Sequence, residues 1–170
     1  ASRQRLAALR GQTRTGKWLH EVMLSQNASR TRFRTNGEDS AGLRGELNKA
    51  QWTASRKLTG DSLSHSMALG MQYEQRKFRN FSASFAGANH RATDQQRSQF
   101  IEYLLRADQR SISVSARHDN NQRFANLTTW RLTATQAITA NTRAHASWGE
   151  GSANPTFFEL FGFIPDSFIG

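Results

Sequence analysis

Alternation with a period of two dominates the chain. In Arg110–Arg117, Ile112, Val114 and Ala116 fall on one side and Ser111, Ser113, Ser115 and Arg117 on the other. That is the pattern of a strand with one apolar and one polar face. Trp130, Leu132 and Ala134 alternate in the same way with Thr129, Arg131, Thr133 and Thr135. Met67, Leu69, Met71 and Tyr73 share a side whose reverse ends in Gln72 and Glu74, and Ile101, Tyr103, Leu105 and Ala107 oppose Glu102 and Arg106. Ala144, Ala146 and Trp148 oppose Arg143, His145 and Ser147, while Trp18, His20, Val22 and Leu24 make a weaker apolar side. About eight strands are expected, the first incomplete.

Two stretches depart from the rhythm. Leu43 and Leu47 have the opposite parity from Ala50, Trp52 and Ala54, and a bulge near Asn48 would restore the phase. Ser2–Arg10 reads as a truncated strand in preference to an amphipathic helix through Leu6, Ala7 and Leu9. The connections around Asp108–Gln109 and Ile138–Thr142 are short. Long polar stretches lie between Glu74 and Gln99, from Asp119 to Asn126 and around Asn36–Gly42. Short turns at one end and long loops at the other are the habit of outer-membrane barrels. The expected fold class is therefore all-β: an antiparallel transmembrane β-barrel segment, with short periplasmic turns and long extracellular loops. About eight strands would leave two unpaired edges, which a membrane does not tolerate, so residues 1–170 are expected to be a partial, incomplete barrel domain.

Composition permits this reading and removes others. Mean hydropathy is -0.70 and 36% of the 170 residues are hydrophobic. No apolar run approaches the roughly 18 residues of a membrane-spanning helix, whereas a barrel strand needs only every second residue apolar over about 10 positions. The net charge is +10, and lysine occurs only at 17, 49, 57 and 77, the remaining cations being arginine. A nucleic-acid surface and a wet, cation-lined lumen both use such charge; the even spread along the chain favours the second. The chain has no cysteine, which removes disulfides and thiolate metal sites and suits passage through an oxidising periplasm. Ala1–Leu6 lacks the apolar core of a signal peptide, so either the export signal lies upstream or the chain is cytoplasmic.

Candidate chemistry is sparse. His20, His65, His90, His118 and His145 have no ligand-like spacing. His145 is expected on a lumen face, His20 at an interface and the others in loops. His118 and Asp119 are adjacent in a strand and point to opposite faces, so they make no acid–base pair. Gly149-Glu150-Gly151 lacks the third glycine and the βαβ setting of a dinucleotide site. No catalytic residue, metal ligand or cofactor site is expected, and no enzyme activity. Arg76, Lys77, Arg79, His90 and Arg91 form basic clusters in the central polar stretch, suited to an anionic ligand such as a metal chelate or to lipopolysaccharide phosphates. Phe157 and Phe158 open an aromatic-rich end with Phe161, Phe163 and Phe168. Base stacking and interfacial anchoring both use such rings.

The closing segment, Gly149-Glu-Gly-Ser-Ala-Asn-Pro155-Thr-Phe-Phe-Glu159-Leu-Phe161, resembles a late segment of the barrel of TonB-dependent outer-membrane receptors. In that family a strand ends in Gly-x-Gly, followed by Pro-Thr and a Glu-Leu-aromatic run that opens an extracellular loop. A Gly-Asn-Pro turn comes next, and it would begin at Gly170. Arg117–Phe124 is similar to the preceding strand end and loop, with His118 at the aromatic position and Ala125 at the glycine. Thr129-Trp130-Arg131 and Met67–Asn80 resemble further strands of the barrel, so the likeness covers roughly Trp18 to Gly170. It implies uptake of a scarce nutrient, an iron chelate or cobalamin-like ligand, by a receptor of a Gram-negative outer membrane. The implied partners are outer-membrane lipid, the small-molecule chelate, and TonB acting through a plug and N-terminal region outside these residues. No nucleic acid is implied. The ligand-contact candidates are Arg76, Lys77, Arg79, His90, Arg91, Phe157 and Phe158, and the 170 residues alone are not expected to transport. Two other readings stay open: a small basic β-protein that binds nucleic acid through arginines and aromatics, and a plug-less pore-forming barrel.

Overall fold

A computed structural model describes residues 1–59, 63–84, 86–152 and 154–161, and of Thr59, Ala88, Phe158 and Phe161 only the backbone. Eight strands form one antiparallel meander: β1 (Ser2–Thr15), β2 (Trp18–Thr35), β3 (Glu38–Thr59), β4 (Leu63–Ser82), β5 (Arg91–Ala107), β6 (Arg110–Asn121), β7 (Leu127–Ala137) and β8 (Arg143–Glu150). Each strand pairs with its neighbours in sequence. Among the described residues the sheet does not close, β1 and β8 each having one unpaired edge. Ser2–Arg10 belongs to a strand, as the alternation predicts. A five-residue helix, α1 (Phe157–Phe161), follows β8.

Register sorts the side chains onto two faces. Leu69 pairs with Ile101, Ile101 with Ala116 and Ala116 with Trp130. Met67 leads through Tyr103, Val114 and Leu132 to Trp148. The expected apolar set thus occupies one face. Ser113, Ser115, Arg131, Thr133 and His145 occupy the other.

The apolar face is bare. Met71 is 57% exposed, Trp148 72%, Ile101 48% and Val114 47%, whereas the only buried hydrophobic residues among those described are Ala54 and Ala92. A water-soluble fold of this length hides its large apolar side chains, and a contiguous exposed patch marks a surface that something else covers. On β4 the patch runs from Leu63 to Tyr73. Ten residue steps span about 33 Å of strand, or about 23 Å of height at a 45° tilt, close to the roughly 25 Å apolar band of a membrane barrel. Arg56 interrupts the patch near its lower edge, with Nε buried and without a hydrogen-bonding partner among the described residues.

Two expectations are corrected. The pairing of β3 runs unbroken past Asn48, with Leu47 opposite Asn27 and Asn48 opposite Gln26. No bulge is needed because Leu43 and Leu47 simply face the polar side, where water contact tolerates isolated leucines. The irregularity lies instead between Phe33 and Arg34, where Ser40 is the extra residue of β3.

The long loops are also shorter than expected. Polar residues 74–82 and 91–99 continue β4 and β5, leaving only residues 83–90 with a single 3-10 turn at Ala86–Ala88. Asn36–Gly37 is a two-residue hairpin with φ of 54° and 85°, the positive pair that matches strand twist and that Asn-Gly adopts readily. Strands extend past the apolar band because their ladder bonds are satisfied by neighbouring strands whatever the side chains meet.

Candidate functional site

The polar face of β4, β5 and β6 carries a dense hydrogen-bonded array. Alternation puts Gln72, Glu74 and Arg76 of β4 beside Asp94, Gln96 and Ser98 of β5, and these beside Arg117, Asp119 and Asn121 of β6. The Glu74 carboxylate accepts from Gln72 at 2.7 Å and from Arg76 at 2.9 Å, with Lys49 at 3.8 Å. Arg76 also donates to Gln96 at 3.4 Å, and Gln96 to the Ser98 hydroxyl at 3.3 Å. Arg117 donates to Ser98 and to Asp119, each at 2.8 Å. Asp94, directly opposite Arg76, is 3% exposed, and its Oδ1 lacks a hydrogen-bonding partner among the described residues. A buried carboxylate oxygen left unpaired is costly, so this array holds an unsatisfied acceptor within reach of the polar face.

The segment after β8 folds onto the upper end of the same face. Asn154 Nδ2 donates to Asn121 Oδ1 at 3.2 Å. Phe157 stacks on Phe78 with centroids 5.8 Å apart, and the Arg123 guanidinium lies 5.9 Å from the Phe157 ring centre. Helix α1 is started by a reciprocal cap: Thr156 N donates to Glu159 Oε2 at 2.6 Å, and Glu159 N to Thr156 Oγ1 at 3.2 Å. The Thr-x-x-Glu spacing is the sequence signature of such a box. The spacing is legible in the chain, inside the Pro155-Thr156 segment that resembles the receptor family. The backbone N–H and then the hydroxyl of Thr156 hold the Glu159 carboxyl below its ordinary value.

The basic residues expected in one loop are on strands and divided between faces. Arg76 joins the polar array. Lys77 and Arg79 of β4 and Arg91 of β5 are turned to the opposite face, where Lys77 lies 3.8 Å from Glu46. His90 precedes β5 and donates its backbone N–H to Asn80 Oδ1 at 2.6 Å. Phe157 is on the polar face; the side chain of Phe158 lies outside the described residues, as do Phe163 and Phe168. Of the histidines expected in loops, His65 and His118 are strand residues on the apolar face, hydrogen-bonded to Tyr103 and to Thr128 respectively. Asp119, bonded to Arg117, faces the other way from His118, as expected. Among the described residues no cluster of three or more metal-binding side chains occurs. Sequence reasoning missed Glu74, Asp94, Gln96, Ser98, Arg117 and Asp119 as a group, because only register brings them together.

Residues 3–168 match the family model described as TonB dependent receptor-like, β-barrel. Among solved structures the chain is similar to the siderophore receptor PirA from Acinetobacter baumannii, with a TM-score of 0.72 and 12% identity over 86% of this chain and 24% of that one. It is also similar to the RagAB peptide importer in its closed-closed state, with a TM-score of 0.54 and 17% identity over 87% of this chain and 22% of that one. At such identities the likeness is one of fold, and the chain spans about a quarter of the length of these structures. No protein of curated function matches the sequence.

Proposed function

Because the chain belongs to the TonB-dependent receptor β-barrel family, we propose that it forms part of the wall of an outer-membrane receptor for TonB-dependent active uptake of a scarce nutrient. This family is one of receptors and transporters, not of enzymes. One observation carries the reading: most of the exposed large apolar side chains share one face, with Leu6 an exception, and the hydrogen-bonded polar array occupies the other. A soluble basic β-protein would be left with no core. In a membrane the apolar face meets lipid, and the polar face lines the wet interior.

On this reading the end carrying residues 83–90 and 122–126 is extracellular. Arg76, Arg117 and Phe157 are then the ligand-contact candidates of this wall. On the polar face Arg10, Arg14, Lys49, Lys57, Arg76, Arg106, Arg117, Arg131 and Arg143 outnumber Glu21, Glu74, Asp94, Glu102 and Asp119, which favours an anionic cargo. A ferric chelate, the cargo class of the PirA structure, suits this better than the peptide of RagAB. The test uses cells that express the full-length receptor with and without TonB. Labelled ferric-chelate uptake is expected only with both, and to fall when Arg76 and Arg117 are replaced by Gln in a receptor still present in the membrane. Accumulation that persists without TonB, or without the receptor, would defeat the proposal.

A further inference from the structure

Cations on the polar face fall into two sets. In the first each has a carboxylate: Arg10 meets Glu21, Lys49 and Arg76 meet Glu74, and Arg117 meets Asp119. The second set is Arg14, Lys57, Arg106, Arg131 and Arg143. Among the described residues none of these five forms an ion pair or a side-chain hydrogen bond. Four of them, all but Arg131, lie within two residues of the short-turn ends of β1, β3, β5 and β8.

Lys57 and Arg106 share one cradle. Lys57 pairs with Ser66 of β4, Ser64 of β4 pairs with Arg106, and Arg106 pairs in turn with Ser111 of β6. Side chains directly opposite on paired strands share a face, so the three serines lie on the same side as the two cations. Lys57 and Arg106 flank β4 with its serines between them. Two strand spacings and a two-residue offset put their backbones about 12 Å apart. Both cations are exposed and the three serines are half-buried. Ammonium, guanidinium and hydroxyl donors gathered without a carboxylate among them are suited to hold an oxyanion. Glu102 and Asp108, the carboxylates that flank Arg106 in sequence, form no ion pair with it.

A carboxylate beside a cation weakens its hold on a second anion. The first set is neutralised in this way, whereas the cations at the short-turn end keep their attraction. Uncompensated positive charge therefore grows along the wall from the long-loop end to the short-turn end. On the uptake reading that is the direction of import, and such a gradient draws an anion along a lumen.

Resting on that reading, we propose that Lys57 and Arg106, with the hydroxyls of Ser64, Ser66 and Ser111, form a second anion site near the periplasmic end of the inner wall. It takes the carboxylate or phenolate oxygens of a small anionic chelate after the chelate leaves the upper array.

The test uses full-length receptor purified in detergent, with labelled citrate as a trianionic probe in equilibrium dialysis. The double variant Lys57→Gln, Arg106→Gln is expected to weaken saturable citrate binding about tenfold or more. The double variant Arg76→Gln, Arg117→Gln is expected to retain a site of wild-type affinity. Single Arg106→Gln serves if the lower double variant fails to fold, as judged by heat-modifiable migration. Absence of saturable binding in wild type overturns the proposal, as does equal binding by wild type and the lower variant. Binding lost only in the upper variant overturns it too. A lowered unfolding midpoint in the lower variant with unchanged citrate binding would assign the cations to a lumen-filling protein segment instead. In cells, labelled ferric citrate and a labelled ferric tris-catecholate are both supplied. The lower variant is expected to bind chelate like wild type without TonB and to accumulate it more slowly with TonB. If wild type accumulates neither chelate with TonB, the reading of an anionic cargo fails, and citrate binding still decides whether the site exists. If uptake is normal and citrate binding is unchanged by the lower variant, only the second site fails.

Discussion

Replacing Glu74 by alanine removes the hub of the polar-face array. Its carboxylate, with a side chain only 12% exposed, is shared by Gln72, Arg76 and Lys49. Arg76 and Lys49 are more open, at 38% and 26%. Stranding one partner of a buried ion pair costs about 3–5 kcal/mol, whereas exposed pairs are worth about 0.2–1 kcal/mol. Glu74 sits near the first limit, but the two cations reach water and re-solvate when it is lost. The expected destabilisation is therefore about 1–3 kcal/mol. A double-mutant cycle of Glu74→Ala with Arg76→Met isolates the pair, and a coupling of about 1–2 kcal/mol is expected. Urea unfolding of the full-length receptor in detergent, followed by tryptophan fluorescence, reads it. A coupling of about 0.3 kcal/mol or less would place the pair among ordinary surface contacts and refute the view of a packed, mutually dependent array.

Three further substitutions probe the faces and the turn after β8. Val114→Arg, in the middle of the apolar patch, is expected to destabilise the membrane-embedded receptor by about 2–4 kcal/mol, whereas its neighbour Ser113→Arg on the polar face is expected to cost little; equal costs in an unfolding titration would contradict the assignment of faces. Gly70→Ala would bring a Cβ to 2.3 Å from Phe100 Cζ and 2.7 Å from the Trp52 carbonyl oxygen. Such overpacking costs about 1–3 kcal/mol, read as a lowered thermal midpoint, and an unchanged midpoint would show that the strands part without penalty. The folded-state pKa of Glu159 lies below its unfolded value, so the stabilisation of α1 is complete above the unfolded value and fades as pH falls through the folded one. Amide protection factors over residues 154–161, taken relative to the intrinsic exchange rate at each pH, should therefore fall on acidification in wild type and lose that pH dependence in Glu159→Gln.

How much of this was legible depends on which residues are considered. Ile112, Val114 and Ala116 declared their face through strict alternation, because lipid or core contact leaves period two in the sequence. Residues 74–82 and 91–99 did not, since water on both sides removes the hydrophobic signal while backbone pairing continues. Leu43 and Leu47 misled for a related reason: two leucines on a wet face look like a phase error when only parity is read. Glu74, Asp94 and Asp119 lie on three strands, and only the pairing register brings their partners together. Phe157 was legible as an aromatic motif, and the capping pair Thr156 and Glu159 beside it explains why that motif begins a helix.

The pairing register also works as a ruler. The row of Trp148 on β8 passes through Leu132, Val114, Tyr103 and Met67 to Arg56 on β3, while the row of Leu24 on β2 passes through Ala50 on β3, six residues away. The top of the apolar patch thus slips one residue per strand between β2 and β8. At about 3.3 Å per residue and about 4.8 Å between strands, that slope is about 35°, within the tilt of closed barrels. Side chains that face each other across the ladder therefore sit at different depths. A single probe walked along one row, from Leu24 through Tyr73 and Arg97 to Asn120, would pass from hydrocarbon to water without changing its position relative to the backbone hydrogen bonds.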